Sequence, residues 1–147
     1  MKPPSPKLSP VTALRAAGRL LLLPLLPLLP LCCSAALAAT PAELLSGYAA
    51  QAGSAPMAAR GQQFFTATHG RDWQCASCHG ALPTQAGKHA ATGKPIAALA
   101  PAFNPLRFTD PAKVEKWFRR NCNDVVGREC SAAEKADLLA WLLTLKP

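Results

Sequence analysis

Apolar residues recur at the spacing of an amphipathic helix in four segments of the chain. The segments are 41–51, 57–68, 111–121 and 131–145. The last carries the widest apolar stripe, which is formed by Leu138, Leu139, Trp141, Leu142 and Leu145. No segment shows the sustained alternation of apolar and polar residues that is typical of a strand. The pattern therefore predicts a small all-α domain without strands.

Residues that favour the first turn of a helix precede three of these segments. Thr40 and Asp110 are each followed by proline, which suits the first helical position. Ser131 has Glu134 three residues later, which is the capping-box pattern. Residues 81–110 have no sustained period and are rich in Ala, Pro, Gly and Thr, so we predict an irregular stretch that wraps a large group.

The N-terminus has the order of a secretory signal. Four basic residues precede the apolar run Leu20–Ala39, which contains three prolines and ends in small residues. Prolines are costly inside a helix, so a retained membrane anchor is the less favoured alternative. A lipoprotein site at Cys32 or Cys33 is another. We expect residues 1–38 to be a signal peptide and residues 39–147 to be a periplasmic domain without stable membrane insertion.

Removal of the signal peptide would change the charge of the chain. The full sequence has 16 Lys and Arg against 8 Asp and Glu, and four of the basic residues lie before residue 20. The remaining domain is only mildly basic and contains no long run of Lys and Arg. Charge therefore gives no specific support for nucleic acid binding.

The sequence Cys75-Ala-Ser-Cys78-His79 is a CxxCH motif, the attachment signature of c-type haem. Two thiols at this spacing can add to the two vinyl groups of one porphyrin, and the adjacent histidine can ligate the iron. The motif predicts one covalent haem c, with Cys75 and Cys78 as thioethers and His79 as the proximal axial ligand. A redox dithiol, or a zinc site completed by Cys122 and Cys130, are the alternative interpretations.

The chain resembles a class I cytochrome c domain in the order of its elements, which are a helix, the CxxCH motif, an irregular wrap and a C-terminal helix. Gly61, Phe65 and Trp141 match positions at which the terminal helices of that class pack together. No methionine follows His79, and Met57 precedes the motif, so His/Met ligation is not expected. The residues alone leave His69, His89, a lysine, an amide or no group as the sixth ligand.

Several motifs in the second half of the chain occur together and carry a more specific resemblance. The chain resembles the sphaeroides haem protein (SHP) family, of the DUF1924 type, in three places: the stretch 114–130, the sequence Thr92-Gly-Lys-Pro-Ile and the segment 107–110. The resemblance covers about residues 41–146. Members are monohaem cytochromes in which an asparagine just before the first cysteine of a C-terminal disulfide loop is the sixth ligand. The resemblance therefore implies that Asn121 is the distal axial ligand and that Cys122 and Cys130 form a disulfide.

The residues themselves are compatible with that assignment but do not decide it. Two cysteines left over in an oxidising compartment pair by default, and asparagine is also a common residue at a helix C-terminus. The resemblance implies electron transfer to a redox partner protein, such as another cytochrome, and binding of O₂, NO or CO when reduction opens the sixth position. A plain electron carrier with a permanently filled site, for instance bis-His, and a haem-free disulfide or zinc module are the alternatives. The sequence shows no catalytic triad, carboxylate pair or phosphate loop, so we do not expect an enzyme.

Overall fold

The computed structural model describes residues 38–147, which fold into five helices and one short hairpin. The helices are α1 (Pro41–Ala52), α2 (Ala58–Thr66), α3 (Cys75–His79), α4 (Pro111–Val125) and α5 (Ala132–Thr144). Strands β1 (Gly87–Lys88) and β2 (Pro95–Ile96) pair in antiparallel fashion. The predicted signal peptide, apart from Ala38, lies outside the described residues.

The helix starts follow from local side-chain hydrogen bonds, as predicted. Thr40 and Glu43 form a capping box at α1, and Ser131 and Glu134 form another at α5. The carboxylate of Asp110 accepts a hydrogen bond from the Lys113 amide at the start of α4, at 3.0 Å. Each cap satisfies amide groups that have no partner inside the helix.

Two predictions about local structure were wrong. The hairpin formed by β1 and β2 was not expected, because two-residue strands are too short to produce a period in the sequence. Helix α4 continues to Val125 rather than ending at Asn121, so Asn121 lies within the helix and is not its C-cap. The helix continues because Cys122 extends the buried stripe of Val114 and Phe118 by one more turn.

The core forms where α2 crosses α5 at close range. A Cβ atom on Gly61 would lie 2.0 Å from the Asp137 carbonyl oxygen, so only glycine allows this approach of the two backbones. One turn later the Phe65 and Trp141 rings pack with their centroids 5.0 Å apart. The structure thus brings together the three residues that the class I comparison had singled out.

The buried carboxylate of Asp137 joins the start of α2 to α5. It accepts hydrogen bonds from the Met57 amide at 2.5 Å and from Arg60 Nε at 2.6 Å. Burial alone would raise the pKa of Asp137, but these hydrogen bonds hold it below its ordinary value. Met57 is therefore fixed at the beginning of α2, where its sulfur accepts a hydrogen bond from Arg60.

None of the helices within residues 38–147 is both long enough and apolar enough to span a lipid bilayer.

Candidate haem-binding site

Helix α3 consists of the CxxCH motif itself and places its three reactive side chains on one short turn. The Gln74 amide donates a hydrogen bond to the Ser77 hydroxyl at 3.1 Å, which starts the turn. Gly80 ends it with a φ of 77°, a conformation that glycine adopts without strain. Cys75 and Cys78 are both free and half-buried, and the pair is therefore available for thioether bonds.

The hairpin supports α3 from the other side. A Cβ atom on Gly87 would lie 2.1 Å from the Cys78 carbonyl oxygen, so β1 contacts the backbone of the motif directly. The Ala90 amide, in the turn between the strands, donates a hydrogen bond to the Cys78 sulfur at 3.3 Å. Gly87 was not identified from the sequence, because a lone glycine in an irregular segment gives no sign of what lies beside it.

The His79 ring is half-buried, and its centroid lies 6.2 Å from that of Phe65. Burial, with a smaller effect of the Arg107 charge, lowers the pKa of His79 to about 4. Its imidazole is therefore neutral at physiological pH, which is the form that ligates a metal. The Arg107 guanidinium is itself held by the carbonyl oxygens of Ala97 and Ala98, at 2.8 and 2.9 Å.

The four cysteines of the described chain divide into two pairs with different chemistry. Cys122 and Cys130 form a disulfide between α4 and the start of α5, with both residues buried. Burial raises the pKa of Cys75 to about 11, so this thiol stays protonated. A zinc site needs thiolates from both pairs, and no cluster of metal-binding side chains is present within residues 38–147.

Asn121 lies on α4 immediately before Cys122, and its side chain is exposed. Within the described residues it makes no side-chain hydrogen bond, and none links it to His79. Trp117, one turn earlier on the same helix, is also exposed, at 43%. The amide is therefore available to a group that is placed against this face of α4.

Large apolar side chains remain uncovered in the segment that follows the motif. Leu82 is 61% exposed and Leu106 is 82% exposed, and Phe103 is exposed as well. A folded domain this small rarely leaves so many large apolar groups in water unless something covers them. A porphyrin held by α3 would supply that cover, so the residues of this region fit the predicted haem.

The two other histidines are engaged in local contacts. His69 Nε2 lies 2.8 Å from the Phe64 carbonyl oxygen, and its ring packs on Phe64. His89 Nδ1 accepts a hydrogen bond from the Thr92 amide at 3.2 Å within the hairpin turn. Each ring is therefore oriented by its own neighbourhood, which argues against either as a sixth ligand.

Comparison with known proteins identifies the family of the chain. The family model described as a domain of unknown function, DUF1924, matches residues 51–142. The cytochrome c-type protein SHP of Cereibacter sphaeroides is 54% identical over 107 residues, which cover 70% of this chain and 82% of that protein. The chain belongs to the SHP family of cytochromes c.

Solved structures support the same assignment. Oxidized SHP, described as an oxygen-binding cytochrome c, matches with a TM-score of 0.69 and 51% identity, over 74% of this chain and 99% of that one. Oxidized cytochrome c'' of Methylophilus methylotrophus matches with a TM-score of 0.64 and 39% identity, over 73% of this chain and 95% of that one. The protein is therefore a mostly helical, monohaem c-type cytochrome with one covalent haem.

Proposed function

We propose that this chain is a periplasmic cytochrome that carries electrons and, when reduced, binds a diatomic gas at the sixth position of its haem. Residues 1–38 would direct export and be removed, and residues 39–147 would form the haem domain. The proposal of gas binding rests on the Asn121 amide, which makes no side-chain hydrogen bond within the described residues and lies beside the Cys122–Cys130 disulfide. A solved member of the family, oxidized SHP, is described as an oxygen-binding cytochrome c.

The haem would be held by the residues of α3. Cys75 and Cys78 would form the two thioethers, and the neutral imidazole of His79 would be the proximal axial ligand. Their arrangement on one turn, with the hairpin packed against it, supports this assignment.

Covalent attachment has a direct test. Acid-acetone extraction of the exported protein should leave the haem on the polypeptide, and variants with Cys75→Ala or Cys78→Ala should keep only one thioether. Peptide mapping by mass spectrometry would locate each bond. Release of free haem from the unaltered protein would contradict the assignment.

Asn121 would be the distal ligand of the ferric form only. An amide is a weak donor, and an amide that binds through oxygen is also a hard one, which favours the higher oxidation state of iron. On reduction Asn121 would leave, and the position becomes available to O₂, NO or CO. The solution structure of cytochrome c'', a relative with 38% identity, addresses haem-ligand detachment in that protein, which supports a ligand that leaves.

An Asn121→Ala variant tests the role of this residue. We expect the ferric protein to change from a six-coordinate to a high-spin absorbance spectrum, because the amide is removed and no described side chain replaces it. The ferrous protein should bind CO as before, since Asn121 has already left in that state. An unchanged ferric spectrum would instead favour a plain carrier with another sixth ligand, and His69→Ala and His89→Ala variants would then show which one.

Electron exchange requires a redox partner protein, and another cytochrome is the class that we propose. The described domain is mildly basic, so an acidic partner surface would speed association at low ionic strength. The effect would weaken as salt is added, because exposed charges are screened.

A further inference from the structure

Three side chains from three helices meet beside the middle of α4. The Tyr48 hydroxyl, on α1, donates a hydrogen bond to Glu115 Oε1 at 2.6 Å. Lys135 Nζ, on α5, donates to Glu115 Oε2 at 2.7 Å. Both oxygens of the carboxylate are thus engaged, one by each neighbouring helix, and we call Tyr48, Glu115 and Lys135 the α4 clamp.

Two of the three side chains of the α4 clamp are shielded from water, whereas the Glu115 side chain is 43% exposed. Tyr48 is 4% exposed, and the Lys135 side chain is 16% exposed with its ammonium 5.4 Å from the centre of the Tyr48 ring. The Phe118 ring, one turn after Glu115, packs edge-on against Tyr48 with the centroids 5.8 Å apart. The ion pair therefore lies at the edge of the core, with Lys135 shielded and Glu115 partly in water, and its two hydrogen bonds join α1 and α5 to α4.

The position of the clamp relates it to the sixth haem position. Helix α4 is attached to the rest of the domain at two places. The first is formed by the hydrogen bonds of Glu115 and the packing of Phe118 on Tyr48, and the second is the disulfide at Cys122. Asn121 lies between these two attachments. Because an amide is a weak ligand, a small change in the placement of α4 is enough to alter how much of the ferric protein it ligates.

We propose that the α4 clamp positions Asn121 and so sets the balance between the closed and open sixth position, an inference that rests on the proposed role of Asn121. Glu115 does not touch the haem in this proposal. It acts through the helix, as a positioning residue. Loosening the clamp lowers the closed fraction of the ferric protein and leaves the ferrous protein, in which Asn121 has already left, unaffected.

The test compares ligand binding in the two oxidation states of the holoprotein. Two variants, Tyr48→Phe and Glu115→Gln, keep side-chain size. Tyr48→Phe removes the hydroxyl donor, and Glu115→Gln removes the negative charge and one of the two acceptor oxygens. Asn121 competes with imidazole for the ferric iron, and a loosened clamp weakens that competition. The apparent dissociation constant of imidazole for the ferric form should therefore fall, by about tenfold in Glu115→Gln and by less in Tyr48→Phe. The dissociation constant of CO for the ferrous form should stay the same.

A matched control removes an equivalent charge from a pair that does not involve the clamp. Glu129 pairs with Arg119 of α4 at 3.5 Å, with both side chains mostly exposed. Glu129→Gln should leave imidazole and CO binding unchanged. An equal change in Glu129→Gln and Glu115→Gln would show a general charge effect and overturn the proposal.

A double-mutant cycle separates this inference from the proposed function. In an Asn121→Ala background the clamp variants should have no further effect on ferric imidazole binding, because the group that they position is gone. A full additional effect there would overturn the clamp as a positioning device. If Asn121→Ala alone leaves imidazole binding unchanged, the proposed ligand is wrong; if it strengthens binding and Glu115→Gln does not, only the clamp is wrong.

Discussion

A His79→Ala variant is expected to lose both the haem spectrum and the folded structure. His79 would hold the iron, and the porphyrin would cover the apolar side chains of residues 81–110. Leu82 and Leu106, at 61% and 82% exposed, have little else within the described chain to pack against. Burial of large apolar groups of this kind contributes about 1.5–3 kcal/mol each. Without His79 the haem would be attached through Cys75 and Cys78 alone and would no longer be held against this segment, which would then lose its cover.

Far-ultraviolet circular dichroism and the absorbance spectrum of the purified protein would measure this loss. His89→Ala is the matched control, since His89 is on the hairpin and is bonded only to its own turn. We expect that variant to keep its colour and its helix content. A His79→Ala protein that folds normally with a haem spectrum would show that another residue is the proximal ligand.

Removal of the disulfide should have the second largest effect on the protein. Cys122 and Cys130 are eight residues apart, and in the chain-entropy model a loop of this size contributes about 2.5 kcal/mol. We therefore expect a Cys122→Ser, Cys130→Ser double variant to unfold at lower denaturant, with its free energy of unfolding reduced by about that amount. The ferric sixth ligand should also bind more weakly, because one of the two attachments of α4 is lost.

Chemical reduction of the Cys122–Cys130 disulfide in the unaltered protein provides the control for this effect. Dithiothreitol should lower the unfolding midpoint of the unaltered protein toward that of the double variant and leave the variant unchanged. Equal stability of the two proteins under oxidising conditions would contradict the stabilising role of the disulfide.

The parts of the fold that sequence alone could predict are those with local causes. Thr40 was recognisable as a cap from the proline that follows it, and Ser131 from Glu134 three residues later; both caps are present. The CxxCH turn was recognisable for the same reason. The end of α4 was not, because what continues it past Asn121 is the burial of Cys122 against the rest of the domain.

The residues that were missed depend on contacts between distant parts of the chain. Tyr48 and Glu115 are 67 positions apart, and Glu115 and Lys135 are 20 apart. In the sequence they are an aromatic residue and two charges on amphipathic helices, like many others. Only the packing of α1, α4 and α5 brings them together. Asn121 itself became a candidate through the family resemblance, because a single amide has no distinctive pattern.

The most direct test of the account is a pair of absorbance spectra of the unaltered protein, ferric and ferrous, each with and without CO. If Asn121 ligates ferric iron and leaves on reduction, the ferric form is six-coordinate, and the ferrous form is high-spin and converts fully on addition of CO. A ferrous form that stays low-spin and does not bind CO would contradict the account, because the sixth position would then remain closed in both oxidation states.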